Sequence, residues 1–263
     1  MNLQNMVSTD LSKINSGAVR NVDIVFVIDA TGSMETLINK VKSNVQNFYN
    51  KVEEALKEQN KKIGVFRAKI IAFRDYYCDG NDAMVESDNF FILPEQSAEF
   101  ERYLDGIEAK GGGDAPESSL EALALAMKSD FTPREQGQGC PRHIIALFTD
   151  SSAHPFQNDF NEYSSSDDKS NNAASKNPIY PKDMFKSLEE LKNAWYGKNE
   201  NGYAMMEKDA KRLLLFTPCN DCYPWNDFAA SLENCAVCAI QKDGEFDDLD
   251  MQVVTNIIGN SAK

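Results

Sequence analysis

The sequence predicts one α/β domain: a doubly wound, mostly parallel sheet with helices on both faces and one antiparallel edge strand. Near-continuous apolar runs, "VDIVFVID" at 22–29, "HIIALFTD" at 143–150 and "RLLLFT" at 212–217, suit parallel strands covered on both faces. Segments between those runs carry apolar residues at the 3–4 spacing of helical stripes. Strands that alternate with helices imply crossover connections and a mostly parallel sheet. A chain of 263 residues is long enough to bury a sizeable core without disulfides.

The elements follow in order. After the run at 22–29, Met34, Leu37, Ile38, Val41, Val45, Phe48, Tyr49, Val52 and Leu56 form one long helical stripe, which ends at the polar "KEQNKK". A second strand reads through "VFRAKIIAFRDY" at 65–76, and a short one through "NFFILP", stopped by Pro94. Phe100, Tyr103, Leu104 and Ile107 mark a helix ended by Lys110 and three glycines at 111–113. Asp114 opens the next helix, with Leu120, Leu123, Ala124 and Met127 as its stripe and Glu117 completing a capping box. Residues 151–180, rich in Ser, Asn and Asp, read as a long polar loop inserted at a strand end. A helix through Met184, Phe185, Leu188 and Leu191, a strand at 212–217, a helix near 225–233 and a strand in "CAVCAI" resume the pattern. A last helix holds Phe246, Leu249, Val253, Ile257 and Ile258. Residues 1–20 are expected to be a polar extension and 21–260 the domain.

Composition narrows the function. The 27 basic and 41 acidic residues give a net charge of −14, which argues against a phosphate-backbone partner and favours cations or basic protein patches. No apolar run approaches the roughly 18 residues of a membrane span, and "MNLQNMVSTDLSKINSG" has no signal-peptide core. A cytoplasmic protein without membrane or nucleic-acid contact is the expectation. The cysteines at 219, 222, 235 and 238 make two Cys-x-x-Cys pairs, a spacing that suggests zinc. The second pair falls on a strand, however, where residues three apart point to opposite faces, so buried free thiols are the better reading.

Chemistry gathers at the strand ends, where doubly wound sheets bind their ligands. Asp29, Thr31 and Ser33 supply a carboxylate and two hydroxyls just after the first strand, and Asp150 ends another. Asp114, after the glycines, offers a third carboxylate. Each has a structural alternative: Ser33 as a helix cap, Asp114 with Glu117 as a capping box, the strand-end aspartates as turn residues. Together, three loops bringing oxygens to one sheet edge favour a site for Mg²⁺, with Mn²⁺ or Ca²⁺ as alternatives. His154 lies four residues beyond Asp150 and is a weaker candidate for contact with a partner. Asp75 in "FRDY" has Arg74 as its evident ion-pair candidate.

The motifs "DATGSM", "GGGDAPES" and "LFTDSS", in this order, resemble the von Willebrand factor type A domain with its metal-ion-dependent adhesion site. "AFRDY" and "IYP" resemble a subgroup carrying the Gly-Gly-Gly-Asp-x-Pro-Glu form, and the likeness covers roughly residues 22–258. The resemblance implies a Rossmann-like fold, with Thr31 and Ser33 binding metal through their hydroxyls and Asp29 and Asp150 binding directly or through water. It also implies that an Asp or Glu of a protein partner completes the coordination. The second loop of the family usually offers a threonine hydroxyl; here Gly113 holds that position, and Asp114 is expected to take part instead.

The expected function is therefore a metal-dependent protein-binding module, in a setting such as a multiprotein complex. One alternative is a metal-dependent hydrolase such as a phosphatase of the haloacid dehalogenase type, which needs a second aspartate where this chain has Thr31. Another is a structural interaction domain whose metal site is empty. Thiol titration of the denatured, unreduced protein is expected to count all six cysteines as free, with no bound zinc.

Overall fold

The computed structural model describes residues 19–113, 116–134, 139–159, 177–197, 206–217 and 223–239. Among them the strands are β1 (Val19–Asp29), β2 (Lys62–Phe73), β3 (Met84–Glu86), β4 (Phe91–Leu93), β5 (Cys140–Phe148), β6 (Lys211–Thr217) and β7 (Cys235–Ala239). They form one sheet in the order β3-β2-β1-β5-β6-β7, with β4 also paired to β2. β2, β1, β5, β6 and β7 run parallel. β3 and β4 are antiparallel and share the outer edge of β2, against Ile71–Phe73 and Phe66–Ala68 respectively. The α/β sheet read from the sequence is thus present, with two short antiparallel strands where one was expected.

From β1 the sheet grows in opposite directions, to β2 on one side and to β5, β6 and β7 on the other. The reversal leaves a crevice at the carboxyl ends of β1 and β5, where connections leave toward different sides. Asp29 is the last residue of β1, and Thr149 and Asp150 follow directly on β5.

Side-chain alternation divides each central strand between two cores. Ile24, Phe26 and Ile28 of β1, with Ile144, Ala146 and Phe148 of β5, face one side; Val25, Val27, Ile145 and Leu147 face the other. The first core is covered by α1 (Ile38–Glu58) and α2 (Ser97–Asp105). The second is covered by α3 (Ser119–Met127), α4 (Leu188–Trp195) and α5 (Trp225–Ala230). On α1 the buried residues are Ile38, Val41, Val45, Phe48, Val52 and Leu56, six of the nine in the predicted stripe; Met34 and Leu37 precede the helix, Met34 in the 3₁₀ turn Gly32–Thr36, and Tyr49 is half-buried. Cys235 packs toward one core and Cys238 toward the other, so the two thiols point to opposite faces of β7. None of the described helices is long and apolar enough to cross a membrane.

Some boundaries differ from the sequence reading. β1 begins at Val19, inside the stretch expected to be a polar extension. α4 begins at Leu188, where the Ser187 hydroxyl accepts from the Glu190 amide at 3.1 Å. Met184 and Phe185 precede it, buried from irregular chain rather than from a helix face. Ala153 and Phe156, expected in a polar loop, are both 1% exposed and belong to the second core. The predicted helix at 246–258, residues 1–18, residues 160–176 and the cysteines at 219 and 222 lie outside the described residues.

The packing of α1 on β1 gives a direct test. Phe48 is fully buried and meets Phe26 edge-on, with ring centroids 5.3 Å apart. Phe48→Ala should destabilise the fold by about 3–5 kcal/mol, measured as a lower urea midpoint, because a rigid sheet cannot collapse into the vacated space.

Candidate metal centre

Asp29 ends a strand buried on both faces, and its own exposure is zero. Such a carboxylate needs donors, and the loop that follows supplies them. The Thr31 amide donates to Asp29 Oδ1 at 3.0 Å and the Thr31 hydroxyl to the same oxygen at 2.6 Å. The Thr149 hydroxyl donates to Asp29 Oδ2 at 2.7 Å. The chain of oxygens continues outward: Thr31 Oγ1 lies 3.1 Å from Ser33 Oγ, which donates to Asp150 Oδ1 at 2.9 Å. Asp29, Thr31, Ser33 and Asp150 therefore form one hydrogen-bonded row across the β1–β5 crevice, from a buried acid to an exposed hydroxyl. The alternative reading of Ser33 as a helix cap is not what its hydroxyl does, since it points across to the neighbouring strand's loop.

The glycine loop forms the opposite wall. Gly32 N–H donates to Gly111 O at 3.0 Å, and Lys110 N–H to Ala30 O at 2.9 Å. Gly111 and Gly112 have φ of +72° and +68°, a region that side chains other than glycine rarely adopt. A Cβ on Gly112 would also come within 2.7 Å of Glu117 Oε1. Asp79 fixes this loop by accepting from Gly112 N–H at 3.0 Å and Asp75 N–H at 3.0 Å. Arg74 fixes the irregular chain leading into it. Its guanidinium donates to the carbonyls of Lys110, Asp82 and Glu108 at 2.9, 2.8 and 2.7 Å, not to the Asp75 carboxylate as its sequence neighbour suggests.

These walls enclose an open cavity of about 290 Å³ lined by Thr31, Ser33, Gly112, Glu117, Asp150 and Ser151, among others. Glu117, read from the sequence only as a capping partner, has a different place. Its N–H donates to Ser152 O and its carbonyl accepts from His154 N–H, both at 2.9 Å, a parallel bridge with Ala153 that sets its side chain at the cavity. The N-cap position of α3 belongs to Ser118, whose hydroxyl accepts from Tyr76 N–H and donates to Asp75 rather than capping the helix. Residues 114 and 115, and Asp114 with them, lie outside the described residues.

His154 is not positioned to meet a partner. It is 1% exposed, and its Nε2 lies 3.5 Å from Asp75 Oδ1. The chain turns inward after Ser152 to form the bridge with Glu117, and this carries the imidazole into the interior. The His154 interaction and backbone donors hold the Asp75 carboxyl below its ordinary value despite burial.

The electrostatics of the row are those of acids short of positive charge. Burial pushes Asp29 up to about 6, against the opposing effect of the Thr31 and Thr149 hydrogen bonds, and Asp150 raises it further. Burial also raises Asp150, opposed by the Ser33 hydroxyl. The Asp150 carboxylate and two hydroxyls at one open cavity, with the Asp29 carboxylate behind them, make a donor set that fits a hard cation such as Mg²⁺, which takes oxygen ligands and keeps waters. No group of three or more His, Cys, Asp or Glu suited to a metal occurs among the described residues, so hydroxyls are integral to any such site. Sequence reasoning missed Thr149, Asp79 and Glu117. Thr149 was detectable as a hydroxyl beside a strand-end acid, whereas Asp79 acts only through the folded loop.

The model of the von Willebrand factor A domain family matches residues 23–160. An alpha-protein kinase of Dictyostelium discoideum, vwkA, is 29% identical over 112 residues, which are 43% of this chain and 16% of that protein. This chain thus corresponds to a small part of the curated relative. Among solved structures, the pilus adhesin SpaC of Lactobacillus rhamnosus GG in its open conformation is similar at TM-score 0.38 and 20% identity, over 53% of this chain and 16% of that one. Another form of the same adhesin gives TM-score 0.37 and 19% identity, over 52% and 16%.

Asp29 binds its proton more tightly in the folded chain than in the unfolded one. It therefore removes stability as pH rises from the ordinary aspartate value of 3.8 through about 6. In EDTA, Asp29→Asn should be more stable than the parent by about 3 kcal/mol at pH 7, since each tenfold gain in proton affinity corresponds to about 1.4 kcal/mol. The advantage should vanish at pH values below the unfolded aspartate value, and urea unfolding of both proteins across this range measures it.

Proposed function

The chain belongs to the von Willebrand factor A domain family, and from that premise we propose that its strand-end row is a magnesium-type site for capturing a carboxylate of a protein partner. The observation that carries this reading is the Asp29–Thr31–Ser33–Asp150 row itself, which joins two loops at the sheet's reversal point and opens to solvent at Ser33. In this reading the Thr31 and Ser33 hydroxyls and the Asp150 carboxylate would hold the cation, with Asp29 behind them. The bound cation would offset the two acids and leave an open position for an Asp or Glu from outside. The protein's own part is positional: Arg74, Asp79 and Thr149 keep the loops in place, so little reorganisation is needed on binding.

The family is one of interaction modules, which supports binding rather than catalysis. Kinase activity is a property of the Dictyostelium protein as a whole, of which the matched segment is 16%. Asp75, with His154 and Ser118 beside it, is an acid, imidazole and hydroxyl group, but all three are buried and none lines the cavity at the row. A hydrolase would need an accessible base, and these three do not provide one.

Metal addition tests the reading. A ligand at a hundredfold excess over its dissociation constant stabilises the native state by about 2.7 kcal/mol. For a chain of this size that corresponds to a melting-temperature rise of about 5–10 °C. Mg²⁺ or Mn²⁺ should produce this rise, EDTA should reverse it and Asp29→Ala should abolish it. Melting curves unchanged by either metal would leave the fold as an interaction domain with an empty site. Mg²⁺-dependent turnover of an aryl phosphate that Asp29→Asn abolishes would assign a hydrolase instead.

A further inference from the structure

One helical turn beyond Glu117, a second carboxylate lies outside the row. Glu121 is 2% exposed; its Oε1 accepts from the Tyr180 hydroxyl at 3.2 Å, and its Oε2 has no hydrogen-bond partner among the described residues. The side chain forms the base of a cavity of about 180 Å³ whose walls include Pro155, Tyr180 and Phe185, with the exposed Lys182 and Lys186 at its mouth.

A buried acceptor without a donor costs about 1–3 kcal/mol, and more when charged. The fold contains a nearby imidazole, but His154 is set against Asp75. Tyr180 is itself fixed, packed on Tyr76 at 5.0 Å between ring centroids, so its hydroxyl stays on Oε1, and the Glu121 side chain that carries the unpartnered Oε2 lines the cavity. Among the described residues none donates to Oε2, which leaves room for a donor from a partner. A cation satisfies a buried carboxylate better than a neutral donor, and aromatic faces favour a cation as well. The space is below the ~300–1,000 Å³ of small-molecule sites and is of side-chain size. The net charge of −14 draws basic partners.

We propose that this cavity is a second subsite, which takes a lysine or arginine side chain of a protein partner. Lys182 and Lys186 set a further condition, that the basic residue carries an acidic neighbour to meet them at the mouth. The segment 151–155 borders both cavities, Ser151 at the first and Pro155 at the second, so a single partner can reach both. The subsite shares with the metal reading only the assumption of a protein partner and needs no metal.

The test is a titration of the ¹⁵N-labelled chain with acetyl-Lys-Glu-amide in EDTA, which keeps the metal reading out of play. Saturable shifts of the Met184, Phe185 and Tyr180 amides with a millimolar dissociation constant are expected. Acetylation of the peptide's lysine amine should weaken binding by roughly tenfold or more, and Glu121→Gln should do the same. Equal affinity for the acetylated peptide, unchanged affinity in Glu121→Gln, or no saturable shift up to tens of millimolar would overturn the proposal. Because the acetylated peptide is compared on the parent protein, the result does not depend on how the variants fold.

Discussion

A carboxylate with no exposure to water needs a donor at each oxygen, and Asp29 imposes that requirement on the whole ligand end of the sheet. Its position is set by β1, a central strand between β2 and β5 and between both helical layers. One oxygen draws the Thr31 amide and hydroxyl inward, which shapes the first loop. The other draws Thr149 from β5, which ties the two strand ends together and sends Asp150 outward toward Ser33. The arrangement of the row follows from satisfying one buried acid, and an aspartate one residue earlier or later would face a hydrophobic core instead.

The fold was legible because its strands are buried on both faces. β1, β5 and β6 appear in the sequence as apolar runs, the first two ending at acids, and α1 as a regular stripe from Ile38 to Leu56. β3 was not legible: Met84, Val85 and Glu86 are too few to show a period, and only their pairing with β2 makes them a strand. The start of α4 was misplaced because Met184 and Phe185 are apolar at helical spacing yet are buried from irregular chain, a difference that spacing does not encode.

At the site, the residues that sequence reasoning found are those adjacent to strand ends, where position along the chain and position in space coincide. Asp29, Thr31, Ser33 and Asp150 are of this kind. Glu117 and His154 are not. Both looked assignable from local rules, one as a cap and one as a loop histidine, but a two-residue parallel bridge redirects each of them. Arg74 was misread for a related reason. Its neighbour in sequence is an acid, but in the folded chain three backbone carbonyls lie closer to hand, and a planar guanidinium can serve all of them at once.

The same bridge has a mechanical consequence. Glu117 N–H donates to Ser152 O across it and its carbonyl accepts from His154 N–H, and Ala153 N–H donates in turn to Tyr223 O, just before α5. Three connections that leave the sheet at different strands are thereby sewn into one plate, with Asp150 and Ser151 at one margin and Pro155 at the other. Such a surface presents its polar groups at fixed separations, so it discriminates between partners by the spacing of their side chains as much as by their charge.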